Sequence, residues 1–195
     1  KSSHTAIIAS QGFGKTTLLQ TIVLNIVRQN TPDQAIFYLL DFGNNGLLLL
    51  KRLPHIADIA SLEEEEKSQK IIVRIEEILR ARKKLFKENG TVNFWRHDEI
   101  TQFKLPVIFI LIDSYDGLSI EDKRKEKIDE MLLYLLREGA NLGIYLILSA
   151  NSIGSIRMNM MSQIATKMCM YLNDNTEINM MRGIREPAGL KAIQG

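Results

Sequence analysis

The sequence predicts an α/β fold, a mostly parallel sheet flanked by helices on both faces. Three observations lead there. Residues 35–41, 107–113 and 144–150 are nearly unbroken apolar runs of strand length, the mark of strands covered on both sides. Stretches with apolar residues at helical spacing lie between them. Strands alternating with amphipathic helices are the pattern of parallel crossover units. Such sheets bind ligands at the carboxyl ends of their strands.

The first element is a strand over residues 3–9. It runs into Gln11-Gly12-Phe13-Gly14-Lys15-Thr16-Thr17, which passes through two glycines and enters a helix expected over 15–28. Strand, glycine loop and helix form the context of a phosphate-binding loop. Gly12 and Gly14 let the backbone turn its N–H groups toward phosphate oxygens, and the helix N-terminus adds its positive dipole end. In that arrangement Lys15 reaches the β- and γ-phosphates of ATP and the Thr16 hydroxyl ligates Mg²⁺. The spacing G-x-x-x-x-G-K-[ST] is met except at its first position, which is Ala9.

Thr31-Pro32-Asp33 ends the helix before the strand at 35–41. The loop Phe42-Gly43-Asn44-Asn45-Gly46 follows, with a short helix at 47–51, Leu53-Pro54-His55 and a short strand at 56–60. Ser61 and Glu64 have capping-box spacing for the longest helix, expected over 62–88. Its first turns carry Glu63 to Glu66, and its last carry Arg80, Arg82, Lys83, Lys84 and Lys87. Acid at the start and base at the end complement the helix dipole, which explains the basic cluster better than a nucleic-acid patch does. Residues 92–100 read as a helical insertion holding Trp95. Phe94-Trp95-Arg96-His97 is the one place where aromatics and bases interleave, and burial of Trp95 explains it as well. After the strand at 107–113, Ser119 and Asp122 suggest a cap for a helix over 121–138. Gly139 and Gly143 bracket the turn into 144–150. A polar loop, a short helix at 158–163, a strand at 166–172 and a helix at 175–182 complete the pattern.

At 195 residues the chain suits one domain spanning 1–195. A hydrophobic content of 45% and a charged content of 25% are those of an ordinary globular protein, and a net charge of +2 leaves no electrostatic footprint for nucleic acid. The single Cys169 excludes an internal disulfide framework and fits a reducing compartment. Without an initiator Met, the chain is expected to be a piece of a longer, multidomain protein.

Asp113 ends an apolar strand about a hundred residues after the loop, where a nucleotidase keeps its magnesium-associated carboxylate. Efficient ATPases of this kind place a glutamate next, to orient and deprotonate the attacking water. Here that position is Ser114, which hydrogen-bonds water but is no base near neutral pH. The next acid, Asp116, lies beyond Tyr115 with no evident reason to face the phosphates. Binding therefore reads as intact and hydrolysis as impaired.

With these residues assembled, the chain resembles the FtsK/SpoIIIE family of hexameric P-loop motors over nearly its whole length. The resemblance rests on the phosphate loop, residues 37–42, Leu53-Pro54-His55, the helix ending in Arg80-Ala81-Arg82, residues 110–113 and residues 141–148. It implies a P-loop NTPase fold of the RecA-like, FtsK/HerA type. It also departs from the family twice: Asp113-Ser114 replaces the usual Asp-Glu, and Asn151 stands where a sensor glutamine is usual. This degenerate pattern is most similar to the C-terminal ATPase domains of the EssC/EccC proteins of type VII secretion. That likeness implies a weakly hydrolytic, ATP- and Mg²⁺-binding module on the cytoplasmic side of a bacterial membrane. Its membrane attachment would come only through the rest of the chain. Its partners would be neighbouring ATPase domains, a possible hexamer and small helical export substrates of the WXG type. A DNA translocase domain is the alternative; it calls for a catalytic acid after Asp113 and a basic pore surface, neither of which is evident. A small-molecule kinase would need an arginine-bearing lid, and Arg182 and Arg185 are too little for one.

Every methionine except Met131 falls at or after Met158. Methionine adapts its shape to varied partners. Met158, Met160, Met161, Met180 and Met181 are therefore candidates for a substrate-docking groove, whereas Met168 and Met170 are expected in the core of the final strand.

Overall fold

The computed structural model describes residues 3–102 and 104–173. Six strands, β1 (Thr5–Ile8), β2 (Ala35–Asp41), β3 (Ile56–Ser61), β4 (Val107–Asp113), β5 (Ile144–Ala150) and β6 (Thr166–Cys169), form one sheet in the order β3-β2-β4-β5-β1-β6. Every pairing is parallel. All six carboxyl ends therefore lie on one rim, and the register sets Asp41 beside Asp113 on it.

Side-chain alternation in these strands sorts the core into two layers. Ala6, Ile8, Tyr38, Leu40, Ile108, Ile110, Ile112, Leu146 and Leu148 face the larger layer, under α2 (Glu65–Glu88) and α4 (Lys123–Glu138). Ile7, Phe37, Leu39, Phe109, Leu111 and Ile147 face the smaller one, under α1 (Lys15–Gln29) and the 3₁₀ turn Gly46–Arg52. Period two then places Asp41, Asp113 and Ser149 on the α1 side, with the helix that opens from the phosphate loop. A one-residue slip of β4 would turn Asp113 away from that helix.

Several local expectations are corrected. The α2 helix starts at Glu65, because Ser61 is still in β3. The box is half made: Glu64 Oε2 accepts the Ser61 N–H at 3.0 Å, but the Ser61 hydroxyl bonds Glu63. Asp122 caps α4 by itself, accepting the Arg124 N–H at 2.8 Å. In α3 (Phe94–Ile100), Phe94 and His97 are buried while Trp95 is 51% exposed. The reason lies at Gly143, whose φ of +70° turns the chain into β5 and whose missing side chain makes room for the Phe94 ring. That docking leaves Trp95 on the outer side, edge-on to Phe94. Strand β6 sits at the sheet edge, so Met168 and Met170 are more than a third exposed and are not core. The helix expected at 175–182 lies outside the described residues.

The basic end of α2 is neutralised locally. Arg82 is buried and donates to the carbonyls of Leu142 and Pro106 at 2.8 and 2.5 Å, tying the helix to the amino ends of β4 and β5. Burial pulls its pKa down to about 10. Arg80 pairs with Glu76, Lys83 with Glu138 and Lys84 with Glu88.

A titration follows from His4, just before β1. It is 3% exposed, and its Nδ1 accepts the Leu146 N–H at 3.0 Å, an arrangement that requires the neutral ring. Burial lowers its pKa from 6.5 to about 4. The unfolded chain therefore binds this proton first as pH falls. The stabilisation is complete above pH 6.5 and is lost toward pH 4, amounting to about 2 kcal/mol by pH 5. Urea denaturation at pH 7 and pH 5 is expected to show that loss. In His4→Gln, which keeps an acceptor and does not titrate, this component should vanish.

Candidate functional site

The phosphate loop joins β1 to α1. Gly12 and Gly14 both have left-handed backbones, with φ of 85° and 82°. Gly14 occupies the N-cap position of α1, so no side chain caps the helix, and its first turn holds no acid. The first N–H groups of an uncapped helix lack internal partners and point along the axis, a favourable place for an anion. Gln11, Gly12, Gly14 and Thr17 are exposed on this loop, and Phe13 and Thr16 are half-buried.

Lys15 is only 6% exposed. Its ammonium donates to the carbonyls of Ala9 (2.6 Å) and Ser10 (3.1 Å) and to Oδ1 of Asn151 (2.7 Å). These three acceptors match the three protons of the group, so the lysine is folded back on its own loop. Desolvation lowers its pKa, and the nearby charges of Asp116 and Asp113 oppose that shift. An arriving polyphosphate would trade neutral acceptors for charged ones, which form the stronger bonds.

The Thr16 hydroxyl donates to Asp113 Oδ2 at 2.5 Å, joining the phosphate loop to the end of β4. The other carboxylate oxygen accepts from the Ser149 hydroxyl at 2.5 Å. That same hydroxyl accepts the Ser114 N–H at 2.8 Å. Asp113 is fully buried and held by two hydroxyl donors. Thr16 and Asp113 are a hard oxygen pair, as Mg²⁺ requires. No cluster of three or more His, Cys, Asp or Glu side chains occurs among the described residues.

Ser114 also adopts a left-handed backbone, with φ of 54°. Its side chain faces Gly43, where an added Cβ would come within 2.7 Å of the Ser114 Oγ. Asp41 shares the rim but has a local task. Its two oxygens accept the N–H groups of Gly43 and Leu47, and so shape the loop after β2.

Asn151 follows β5 and touches Lys15, as its position after that strand implies. Its own partner is Asp116, the acid for which the sequence offered no role. The Asp116 carboxylate accepts the Asn151 N–H at 3.1–3.2 Å and its side-chain amide at 2.6 Å. The turn at Tyr115–Gly117 brings Asp116 back beside the loop. The Tyr115 ring is buried behind it, and its hydroxyl donates to Asp129 at 2.5 Å. Arg157 pairs with the second Asp129 oxygen at 2.9 Å. Burial and Asp129 together push the Tyr115 phenol upward, so it stays a donor. Ser149 was missed as well. It is the one polar residue inside the apolar run of β5, and a buried polar group in such a run must have a partner.

The methionine candidates separate. Met158 is 80% exposed at the start of α5 (Met158–Met161), but Met160 and Met161 are 0% and 6% exposed and belong to the larger core layer. Their assignment to a docking groove is corrected: α5 packs against α4, and one turn of helix cannot present three of its four residues to solvent while also docking there. Met180 and Met181 lie outside the described residues.

Comparison with known proteins agrees with this geometry. A model of the FtsK/SpoIIIE family matches residues 1–189. The chain is 36% identical, over its full 195 residues, to the type VII secretion system protein EssC of Staphylococcus aureus strain MRSA252, of whose length it covers 13%. It is 32% identical over 177 residues to the ESX secretion system protein YukB of Bacillus subtilis strain 168, with 91% of this chain and 12% of that protein covered. Among solved structures, ATPases 2 and 3 of EssC from Geobacillus thermodenitrificans superpose with a TM-score of 0.89 at 31% identity, covering 99% of this chain and 36% of that one. The matched family model, the phosphate loop meeting an uncapped helix and the Thr16–Asp113 pair agree: the chain belongs to the FtsK/SpoIIIE family and has the P-loop ATPase fold of the EssC/EccC domains.

Proposed function

We propose that the domain binds Mg²⁺-ATP and serves as a weakly or non-hydrolytic ATPase domain of a type VII secretion motor that recruits small helical export substrates. The contact between Thr16 and Asp113 carries the nucleotide half of this reading, because it brings the two magnesium-binding groups together at the end of an anion-ready helix. When bound, Mg²⁺ would be held by Thr16 and Asp113 and would supply charge neutralisation of the phosphates. The backbone of residues 11–17 orients the phosphates, and Lys15 leaves Ala9, Ser10 and Asn151 to contact them. The Oδ1 of Asn151, whose amide is anchored by Asp116, is then free to accept a hydrogen bond from a water. The secretion half is supported by likeness to EssC and YukB. An EccC structure containing ATPases 2 and 3, similar in fold, was solved in complex with a signal sequence peptide. WXG-type helical substrates, neighbouring ATPase domains and a hexameric ring in a longer protein follow as proposals. So does a place on the cytoplasmic side of a bacterial membrane. Among the described residues no helix is long and apolar enough to cross a membrane.

Isothermal titration with Mg²⁺-ATP tests the site. Lys15→Ala removes a charge-assisted contact typically worth ~1.5–3 kcal/mol and is expected to weaken binding at least tenfold. Equal affinities for wild type and variant would remove the assignment. Duplex DNA is expected to bind no tighter than the ~10⁻⁶ M end of the non-specific range at physiological salt. A clearly tighter Kd would favour a DNA translocase instead.

A further inference from the structure

We infer that Phe13 and Tyr171 form a stacking platform for the base of a purine nucleotide, and this inference rests on the nucleotide-binding reading above. The segment that leaves β6 does not turn away from the site but runs along the phosphate loop. Met170 N–H donates to the Ile8 carbonyl at 2.9 Å, and Ser10 N–H donates to the Tyr171 carbonyl at 2.8 Å. Asn173 N–H then donates to the Ser10 hydroxyl at 3.0 Å. These three bonds hold residues 170–173 beside the loop through backbone groups, whatever side chains the segment carries. The side chain of Met170 reaches Gly14, its terminal carbon 3.6 Å from where a Cβ there would stand.

On this frame the rings of Phe13 and Tyr171 stack, with centroids 4.3 Å apart and planes at 27°. Phe13 immediately precedes Gly14, the residue that opens α1, so the pair sits where the phosphate cradle ends. A nucleotide with its phosphates on residues 11–17 has its base one ribose beyond them, at the margin of the loop. Tyr171 is 40% exposed and its neighbour Leu172 is buried at 5%, so the segment presents the ring outward while anchoring itself inward. An aromatic ring held rigidly against a second ring, with one side open to solvent, is a ready stacking surface. Stacking is tolerant of base identity, because every base has a π-face, and it grows with ring area. The platform therefore favours purines over pyrimidines and separates adenine from guanine only weakly.

Titration of the 195-residue chain with Mg²⁺-ATP, Mg²⁺-GTP and Mg²⁺-CTP tests this, using wild type, Tyr171→Ala and Tyr171→Phe. Wild type is expected to bind ATP and GTP within a few-fold of each other and CTP several-fold more weakly. Tyr171→Ala should weaken ATP and GTP binding roughly tenfold and level the purine–pyrimidine difference, a loss in the range of one base–aromatic stack. Tyr171→Phe, which keeps the ring, should behave as wild type. Unchanged ATP affinity in Tyr171→Ala overturns the platform, as does an equal loss for all three nucleotides, which would mean that the ring only shapes the loop. If wild type binds no nucleotide, the nucleotide reading itself fails. If Lys15→Ala abolishes binding that Tyr171→Ala leaves intact, only the platform fails.

Discussion

Single-turnover hydrolysis of Mg²⁺-ATP by this chain is expected to run ~10²–10⁴-fold below that of a family member with a glutamate after the strand-end aspartate, the usual cost of losing a general base. The reason is visible around Ser114. Its N–H is committed to the Ser149 hydroxyl, its side chain faces Gly43, and a serine hydroxyl does not take a proton near neutral pH. Asp116 is the nearest substitute on the same turn, but both of its oxygens already accept bonds from Asn151. Turnover on the order of 10 s⁻¹, the median for enzymes, would show that another group serves as base. Ser114→Glu is the complementary variant. It is expected to raise the rate, and Asp116→Asn in that background distinguishes a direct role for Asp116 from its task of holding Asn151.

The second large effect concerns stability. Met160→Ser with Met161→Ser is expected to lower the melting temperature by roughly 10 °C or more. Emptying a buried methionine site costs ~2–5 kcal/mol, and each kcal/mol shifts a domain of this size by about 2–4 °C. Met160 is fully buried, with its sulfur 3.9 Å from the Tyr115 hydroxyl, so the change also disturbs the packing behind Asp116. Met158→Ser, at a side chain 80% exposed, should leave the melting temperature within about 1 °C. If a helical client peptide docks near α5, Met158→Ser is the variant that should weaken it without unfolding the domain. Thermal unfolding by circular dichroism for both variants, with peptide binding for Met158→Ser alone, separates the two roles. A double variant as stable as wild type would put Met160 and Met161 back on the surface.

The sequence by itself determined the central sheet strands and the glycine loop that joins β1 to α1. The runs at 35–41, 107–113 and 144–150 are apolar enough to be strands buried on both faces, and β2, β4 and β5 have those bounds. The glycine spacing and Lys15-Thr16 required a strand before and a helix after, because only that geometry turns a row of backbone N–H groups toward one anion. The tertiary structure decided what depends on residues distant in the chain. Lys15 is parked on Asn151, 136 residues away, and Ser149 holds Asp113 across two adjacent strands. Asp116 could be dismissed from its position alone; a left-handed Ser114 and the turn after it swing its carboxylate under Asn151. The same limit explains the methionines and Trp95. Composition marks a residue as adaptable or aromatic, but a short helix buries whichever side meets the rest of the core. Met160 went inside and Met158 outside because the docking of α5 set that side, and Phe94 displaced Trp95 because only Phe94 meets the gap left by Gly143. Local pattern fixes which segments form elements, since backbone hydrogen bonding and periodicity act over a few residues. Which side chains meet is set by how those elements pack, and no short stretch of sequence contains that information.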